Sequence, residues 1–319
     1  MMANSASASA PGKIILCGEH AVVYGRPAIA VPVSQVSADV TITATGCDLA
    51  IEARDQNRTV HFANLPADDP LAAIIRLTLE KLDVADAPLA TIVIQSTIPI
   101  AGGLGSGAAV STALARTLAR YYEHELDTAT ISSLVYEVEK LHHGTPSGID
   151  NAVIAFDQPV YFVRGRPIET FAVPRPFRLV IADTGLPGPT KIAVSEVRAA
   201  WQADPAKFES LFDQCGEITG QARSIIEGGY PDQLGPLLTQ NHRLLSELGV
   251  SCAELEALVE AALGAGASGA KLSGGGRGGN MIALVTDERT ASVEQALLNA
   301  GAKRVIITTV KATNDKRET

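Results

Sequence analysis

The sequence predicts a two-domain α+β protein, and three observations carry that prediction. The chain has 319 residues, about twice the length of a typical domain. Its apolar residues switch between strand-like alternation and helical spacing, without the regular strand–helix succession of a doubly wound sheet. Between two regular stretches, the segment 167–177 carries Pro167, Pro174 and Pro176, so residues 1–175 and 176–319 are read as the two domains.

The elements follow in order. Ile14 to Leu16 and Ala28 to Val33 are short apolar runs. Val40–Thr43 and Leu49–Glu52 alternate around Thr45-Gly46-Cys47-Asp48, a hairpin-like signal. From Asp69 to Leu82 the spacing of Leu71, Ile74, Ile75, Leu79 and Leu82 predicts a helix. Thr91–Ile98 is rich in β-branched residues and reads as a strand. A helix over Ala108–Tyr122 follows, then one from about Thr130 to His142 with Leu134, Val138 and Leu141 inward and Gly144 closing it. Val153–Val163 and Phe177–Ala182 read as strands. Helical patterns over 191–203, 205–227, 231–248 and 252–263 come next. A strand at Met281–Val285, a helix at Arg289–Ala300 and a strand at Arg304–Thr309 complete the chain.

Composition narrows the function. Hydrophobic residues make up 46% and charged residues 19%, enough apolar material for packed cores. Lys and Arg total 26 against 35 Asp and Glu, a net charge of −9, and aromatics are 4%. An acidic, aromatic-poor chain argues against a nucleic-acid groove or an anionic membrane face. Phosphate chemistry would therefore rest on backbone amides, helix ends, a metal or single lysines. Cys17, Cys47, Cys215 and Cys252 form no CxxC pair, as expected of reduced thiols in a cytoplasmic protein. The first eleven residues lack the basic and apolar regions of a secretion signal. Ala87–Ala115 is uncharged, but Pro88, Pro99 and a glycine cluster interrupt it, so a buried strand, a loop and a buried helix are expected rather than a membrane span.

Four constellations carry chemistry. Pro11 to Gly25 sets Lys13 before an apolar strand and Glu19-His20 after it, a cation, a carboxylate and an imidazole at the two ends. Pro99-Ile100-Ala101-Gly102-Gly103-Leu104-Gly105-Ser106-Gly107-Ala108 joins a strand to a helix. Its amides and the helix dipole favour an anion. Glu139 to Asn151 places Glu139 and His143 on one helical face and presents Asp150 after a Thr-Pro-Ser-Gly turn. A carboxylate held near a lysine suits base or orienting work on a hydroxyl; capping of the next helix is the other reading. Finally, residues 264–279 hold eight glycines around Lys271-Leu272-Ser273, a density that suggests backbone approaching a ligand closely. The P-loop pattern is absent, because Gly12-Lys13 is followed by Ile14. A dinucleotide GxGxx[GA] match at Gly103, Gly105 and Ala108 lacks its acidic partner at a strand end, since Glu123 and Glu125 end a helix.

Taken in order over Ala10 to about Val285, these motifs resemble those of the GHMP kinases. Gly18-Glu19-His20-Ala21-Val22-Val23-Tyr24-Gly25 lacks the Thr-Asp expected of galactokinases, and with His143-Gly144-Thr145-Pro146-Ser147-Gly148-Ile149-Asp150-Asn151 it is similar to the branch that phosphorylates mevalonate. Asp183-Thr184-Gly185 through Thr190-Lys191 is similar to a substrate-side segment of that branch. The resemblance implies an N-terminal α+β domain, a ferredoxin-like C-terminal domain, and an active site in the cleft between them. It implies ATP-dependent phosphorylation of the C5 hydroxyl of (R)-mevalonate, with ATP and Mg²⁺ as cofactors. Asp150 would orient or deprotonate the hydroxyl and Lys13 would lower its pKa and steady developing charge. Pro99, Ala101, Gly102, Gly103, Leu104, Gly105, Ser106, Gly107 and Ala108 would wrap the triphosphate. Glu139 and Ser106 would hold the metal, and Glu19, His20 and Thr190 would face the acceptor. These roles suit phosphoryl transfer, which asks for alignment and charge neutralisation.

Two departures stand out. The family loop usually reads Gly-Leu-Gly-Ser-Ser, whereas position 107 is glycine, so either Ser106 or water completes the metal shell. Arg277 replaces an expected glycine, to touch phosphate or point outward. A phosphorylated acceptor such as phosphomevalonate, which would need basic residues such as His20, Lys191 or Arg26, is one alternative. A non-catalytic ATP-binding sensor is another, and a homodimer is the assembly to test.

Overall fold

The computed structural model describes residues 3–99, 102–143, 146–188 and 190–313, without the side chains of His142 and His143. Ile100, Ala101, Gly144, Thr145 and Pro189, which the sequence reading singles out, lie outside the described residues. The chain divides into two compact units. One comprises Met1–Gly12, Val36–Pro99 and Gly105–Asp157, and the other Lys13–Gln35, Ile100–Leu104 and Gln158–Thr319.

Two long strands, β1 (Ser5–Cys17) and β2 (Ala28–Ala44), pair with each other and contribute to both units. The short apolar runs at Ile14 and Ala28 are thus the buried parts of strands of 13 and 17 residues. In the first unit, β5 (Ala90–Ser96) pairs antiparallel with β2 in the register Ala38↔Ser96. On its other side β5 runs parallel to β3 (Ala50–Ala53), which pairs antiparallel with β4 (Arg58–His61). The hairpin expected between 40–43 and 49–52 is therefore not formed: β5 lies between the two strands. Alternating residues report a half-buried strand but not its partner. The connection from β4 back to β5 is α1 (Pro70–Lys81), started by Pro70 and capped by Asp69 Oδ1, which accepts from Leu71 N (2.9 Å) and Ala72 N (3.3 Å).

Helices α2 (Ser106–Tyr121), α3 (Thr128–His143) and α4 (Ile149–Phe156) pack on one another. Arg116 of α2 donates to Ser9 O (2.9 Å) and Ala155 O (2.7 Å), satisfying carbonyls of β1 and α4 at once. Asn151 Nδ2 donates to Ser132 O (3.0 Å) and Oγ (2.9 Å), which fixes α4 on α3. The inward face of α3 is Ile131, Val135 and Val138, while Leu141 is 52% exposed, so the face is turned from the one expected. Residues 153–156, expected as strand, belong to α4; the strand proper, β6, is only Val160–Phe162. Val153, Ile154 and Ala155 are all buried, and a short element that is apolar all round has no period to read.

In the second unit β6 pairs with the start of β2 and with β7 (Glu169–Thr170). A second sheet has the order β11-β8-β10-β9, built from β8 (Phe177–Asp183), β9 (Gly269–Ser273), β10 (Asn280–Val285) and β11 (Arg304–Val310), with every pairing antiparallel. Between β8 and β9 run α5 (Thr190–Ala203), α6 (Pro205–Glu227), α7 (Leu234–Glu247) and α8 (Ala253–Gly264), and between β10 and β11 runs α9 (Asp287–Asn299). That order and connection are the ferredoxin-like arrangement, with extra helices in the first crossover. All six residues of β10 are buried, as a central strand covered on both faces requires. Strand β9 sits inside the second glycine cluster, which the sequence reads as one loop. Its Gly269 faces Gly235 of α7 so closely that a Cβ there would lie 2.0 Å from Gly235 O, so this glycine serves helix–strand packing.

Candidate active site

In the first unit the site begins where the glycine loop becomes α2. Gly105 is the N-cap residue, in left-handed backbone at φ 76°, a conformation that glycine adopts without a Cβ penalty. It carries no side chain to satisfy the first amides of α2, so these remain directed at whatever approaches the helix start. Ser106 is half-buried, Gly107 exposed and Ala108 buried. Glu139, on α3, has its Oε1 3.8 Å from where a Cβ on Gly107 would stand, so its carboxylate lies against the first turn of α2. Asp150 lies in the first turn of α4, half-buried, behind the left-handed N-cap Gly148 (φ 88°). The Asn151 bonds to Ser132 hold that turn in place. Beside the loop, a cavity of about 60 Å³ is walled by Ile51, Ala53, Ile94 and Val110, edged by Arg58, and reaches Ser106.

In the second unit, Lys13 is 5% exposed on β1, and its N–H donates to Leu104 O (2.9 Å). The carbonyl of Gly102 accepts from Asn280 Nδ2 of β10. Gly103 is exposed, at φ 70°. The carbonyls of Gly102 and Leu104 are thus used internally, and Asn280 is a residue that the sequence reading does not single out.

Glu19 and His20 follow β1 and are both buried. Glu19 Oε1 pairs with the ammonium of Lys271, a residue of β9 with no exposed surface. Lys271 Nζ also donates to Leu272 O (2.6 Å). The second Glu19 oxygen, Oε2, is buried without a hydrogen-bond partner. A buried carboxylate oxygen left in this state is a place for a donor from a ligand. Lys271 stands at the centre of the second glycine cluster, but nothing in its sequence position reveals that it meets Glu19. The pairing depends on β9 being a strand, with Ser273 Oγ also bonded to Ile15 O (2.7 Å).

His20 has positive φ (59°), and its Nε2 donates to Gly275 O (3.0 Å). Burial holds its pKa below the ordinary 6.5, with Arg277 and Lys271 pushing the same way against the Gly275 bond, so the ring is neutral near pH 7. Thr190 opens α5 and is exposed; its Oγ1 would lie 2.6 Å from a Cβ on Gly275. Gly275 therefore brings His20 and Thr190 together. Arg277 neither reaches into open space nor lies idle: it pairs with Glu196 and donates to Gly249 O (3.1 Å). Arg26 is likewise committed, to Glu209 (2.5 Å) and Asp213 (2.8 Å).

All four cysteines are free thiols, and burial pushes Cys17 and Cys215 up to about 12. No group of three or more His, Cys, Asp or Glu side chains among the described residues is arranged as a metal cage, and no helix is long and apolar enough to cross a membrane.

A loop of glycines at a helix start, backed by a carboxylate on the neighbouring helix, and a ferredoxin-like sheet carrying a second glycine loop define a class. The chain belongs to the GHMP kinases: the family's N-terminal domain matches residues 70–158 and its C-terminal domain residues 223–303. It is 35% identical over 322 residues to a mevalonate kinase of Thermococcus sibiricus, covering 94% of each chain. Among solved structures it is similar to L. major mevalonate kinase in complex with R-mevalonate, with a TM-score of 0.84, 28% identity and 96% of each chain covered. The mevalonate kinase of Methanococcus jannaschii gives the same TM-score at 26% identity, over 97% of this chain and 98% of that one.

Proposed function

We propose that this kinase transfers the γ-phosphoryl group of ATP to the C5 hydroxyl of (R)-mevalonate, forming (R)-5-phosphomevalonate for isoprenoid biosynthesis. The observation that carries the reading is the similarity to mevalonate kinases over nearly the whole of both chains, at 35% identity. In this reading residues 1–175 form the domain of the nucleotide loop and Asp150, and residues 176–319 the second domain.

The first amides of α2, uncapped by any side chain at Gly105, support the phosphates of ATP. Glu139 and the Ser106 hydroxyl are the oxygen donors for Mg²⁺, an ion that keeps several waters and needs few protein ligands, and Glu139 Oε1 lies 3.8 Å from where a Cβ on Gly107 would stand. When bound, Mg²⁺ neutralises charge on the phosphates.

Asp150 is the group assigned to accept or orient the hydroxyl proton, and the Lys13 ammonium the group that stabilises charge developing on the transferred phosphoryl. Glu19 Oε2 and the neutral His20 ring supply polar contacts for the acceptor, with Thr190 alongside. A phosphorylated acceptor would need unengaged cations. Arg26 is taken by Glu209 and Asp213, and Arg277 by Glu196, which favours the unphosphorylated alcohol.

The reading is tested by ADP release from Mg-ATP with mevalonate, 5-phosphomevalonate, homoserine and galactose as parallel acceptors. Turnover confined to mevalonate is expected; turnover on another acceptor would move the substrate, and ATP binding without any turnover would favour a sensor. For the mechanism, Asp150→Asn is expected to lower kcat by orders of magnitude while ATP affinity stays near wild type, because it acts on proton and alignment rather than on the nucleotide. Unchanged turnover in that variant would remove Asp150 from the mechanism.

A further inference from the structure

Two segments of the second unit run side by side behind Thr190. The N–H and hydroxyl of Thr184 both donate to Gly279 O (2.9 and 3.0 Å), and Gly279 N–H donates to Leu186 O (2.9 Å). A Cβ on Gly188 would stand 3.2 Å from Gly276 O. The loop 274–279 thus meets Thr184, Leu186 and Gly188, and Gly275 meets Thr190.

Arg277 stands in the middle of that loop, in left-handed backbone at φ 58°, which a non-glycine residue seldom adopts. Its neighbours Gly276 and Gly278 also have positive φ, so the turn is one that glycine suits. Three tethers converge on this residue. Its N–H donates to Val250 O (2.8 Å), its guanidinium donates to Gly249 O (3.1 Å from Nη2 and 3.4 Å from Nε), and its Nη1 pairs with Glu196. Glu196 lies on α5, less than two turns beyond Thr190.

We propose that Arg277 is a positioning residue for the acceptor end of the site: by clasping Glu196 and the α7–α8 turn, it fixes the start of α5, with Thr190, against the Gly275 carbonyl that orients His20. The inference rests on the proposed assignment of His20 and Thr190 to the acceptor. A partly exposed ion pair acting alone contributes little. Here the pair is one of three bonds on a single residue, and it joins the two elements whose separation sets the distance from Thr190 to His20.

The test is a comparison of KM for acceptor and for ATP in Arg277→Gly, Arg277→Lys, Glu196→Gln and the swapped double variant Arg277→Glu/Glu196→Arg. Arg277→Gly is expected to raise the acceptor KM about five- to tenfold, the scale of coupling between contacting residues, with kcat and ATP KM within about twofold. Glu196→Gln should give part of that rise, Arg277→Lys should recover part of it, and the swapped pair, which regains the ion pair but not the bond to Gly249 O, should also recover part of it. A parallel rise in both KM values, an unchanged acceptor KM, or a folded swapped variant no better than Arg277→Gly would overturn the proposal. The assay uses whichever acceptor the wild-type protein phosphorylates. An acceptor other than mevalonate would therefore correct the proposed function and leave the Arg277 test intact, whereas no turnover on any acceptor would overturn both.

Discussion

In the first glycine-rich segment, a side chain added at Gly103 or Gly107 would meet nothing closer than 3.6 Å. In the second, a Cβ at Gly269, Gly275, Gly276 or Gly278 would come within 2.0 to 2.8 Å of atoms already in place. Both segments are dense in glycine, and both invite the reading of backbone drawn close to a ligand. At Gly103 and Gly107 no protein atom crowds the backbone, which leaves room for a ligand before the α2 amides. In the second the backbone is drawn close to protein at Gly269 (against α7), Gly275 (Thr190), Gly276 (Val250 O) and Gly278 (Leu186), while Gly264, Gly274 and Gly279 are as open as the first segment. Glycine density marks close approach, and only the neighbours decide what approaches.

The largest effect expected from this difference is on folding. Gly276→Ala puts a Cβ 2.0 Å from the Val250 carbonyl oxygen at φ 74°. Overpacking and backbone strain at about 1–3 kcal/mol each predict a loss of about 2–6 kcal/mol, read from denaturant midpoints. A stable, soluble Gly276→Ala protein would show that the second loop is not packed as described. Lys271→Met comes next. It leaves Glu19 charged and buried with neither oxygen paired to a cation, which predicts a loss of about 3–5 kcal/mol. Chemical denaturation of the variant beside wild type measures it, and a loss below about 1 kcal/mol would mean that Glu19 has another partner.

A smaller effect concerns pH. His20 and His242 are both held below the ordinary 6.5, chiefly by burial. A histidine with a depressed folded pKa takes up its proton more readily when unfolded. Its stability contribution is therefore full above pH 6.5 and declines as the pH falls below it. Thermal melts between about pH 7.5 and pH 5.5 should show Tm dropping on the acidic side, and His242→Gln should flatten part of that slope. A flat profile would mean that these rings take up protons in the folded protein as readily as in the unfolded chain.

Much of this architecture is legible in sequence, for reasons that individual elements make plain. Asp69-Pro70 announces α1 through local capping, and Pro205 after Asp204 does the same for α6. Strand pairing is not local: β3 lies beside β5 rather than β2, and no residue in 40–52 records it. Helix α4 hides in a run that is buried on all sides. At the site, Glu19, His20 and Thr190 are visible as motif members, and the structure gathers His20 and Thr190 around Gly275. Asn280 and Glu196 are not visible in this way, and Lys271 is visible only as the centre of a glycine cluster, because each acts through a contact with a residue distant in sequence.

The most direct test of the central claim, that the start of α2 is kept open for the phosphates of a nucleotide, is a calorimetric titration of Mg-ATP onto Gly107→Asp and Gly107→Ser. A carboxylate in the first turn of a helix is favourable to the helix itself, by about 0.3–1 kcal/mol. That gain offsets the repulsion from the nearby Glu139 carboxylate, so Gly107→Asp should fold about as well as wild type while losing more than about tenfold in Mg-ATP affinity, a change above about 1.4 kcal/mol in binding. Gly107→Ser, whose hydroxyl would stand near Glu139, should bind at least as tightly as wild type. Wild-type affinity in a folded Gly107→Asp protein would contradict the account, because the phosphates would then have to bind elsewhere.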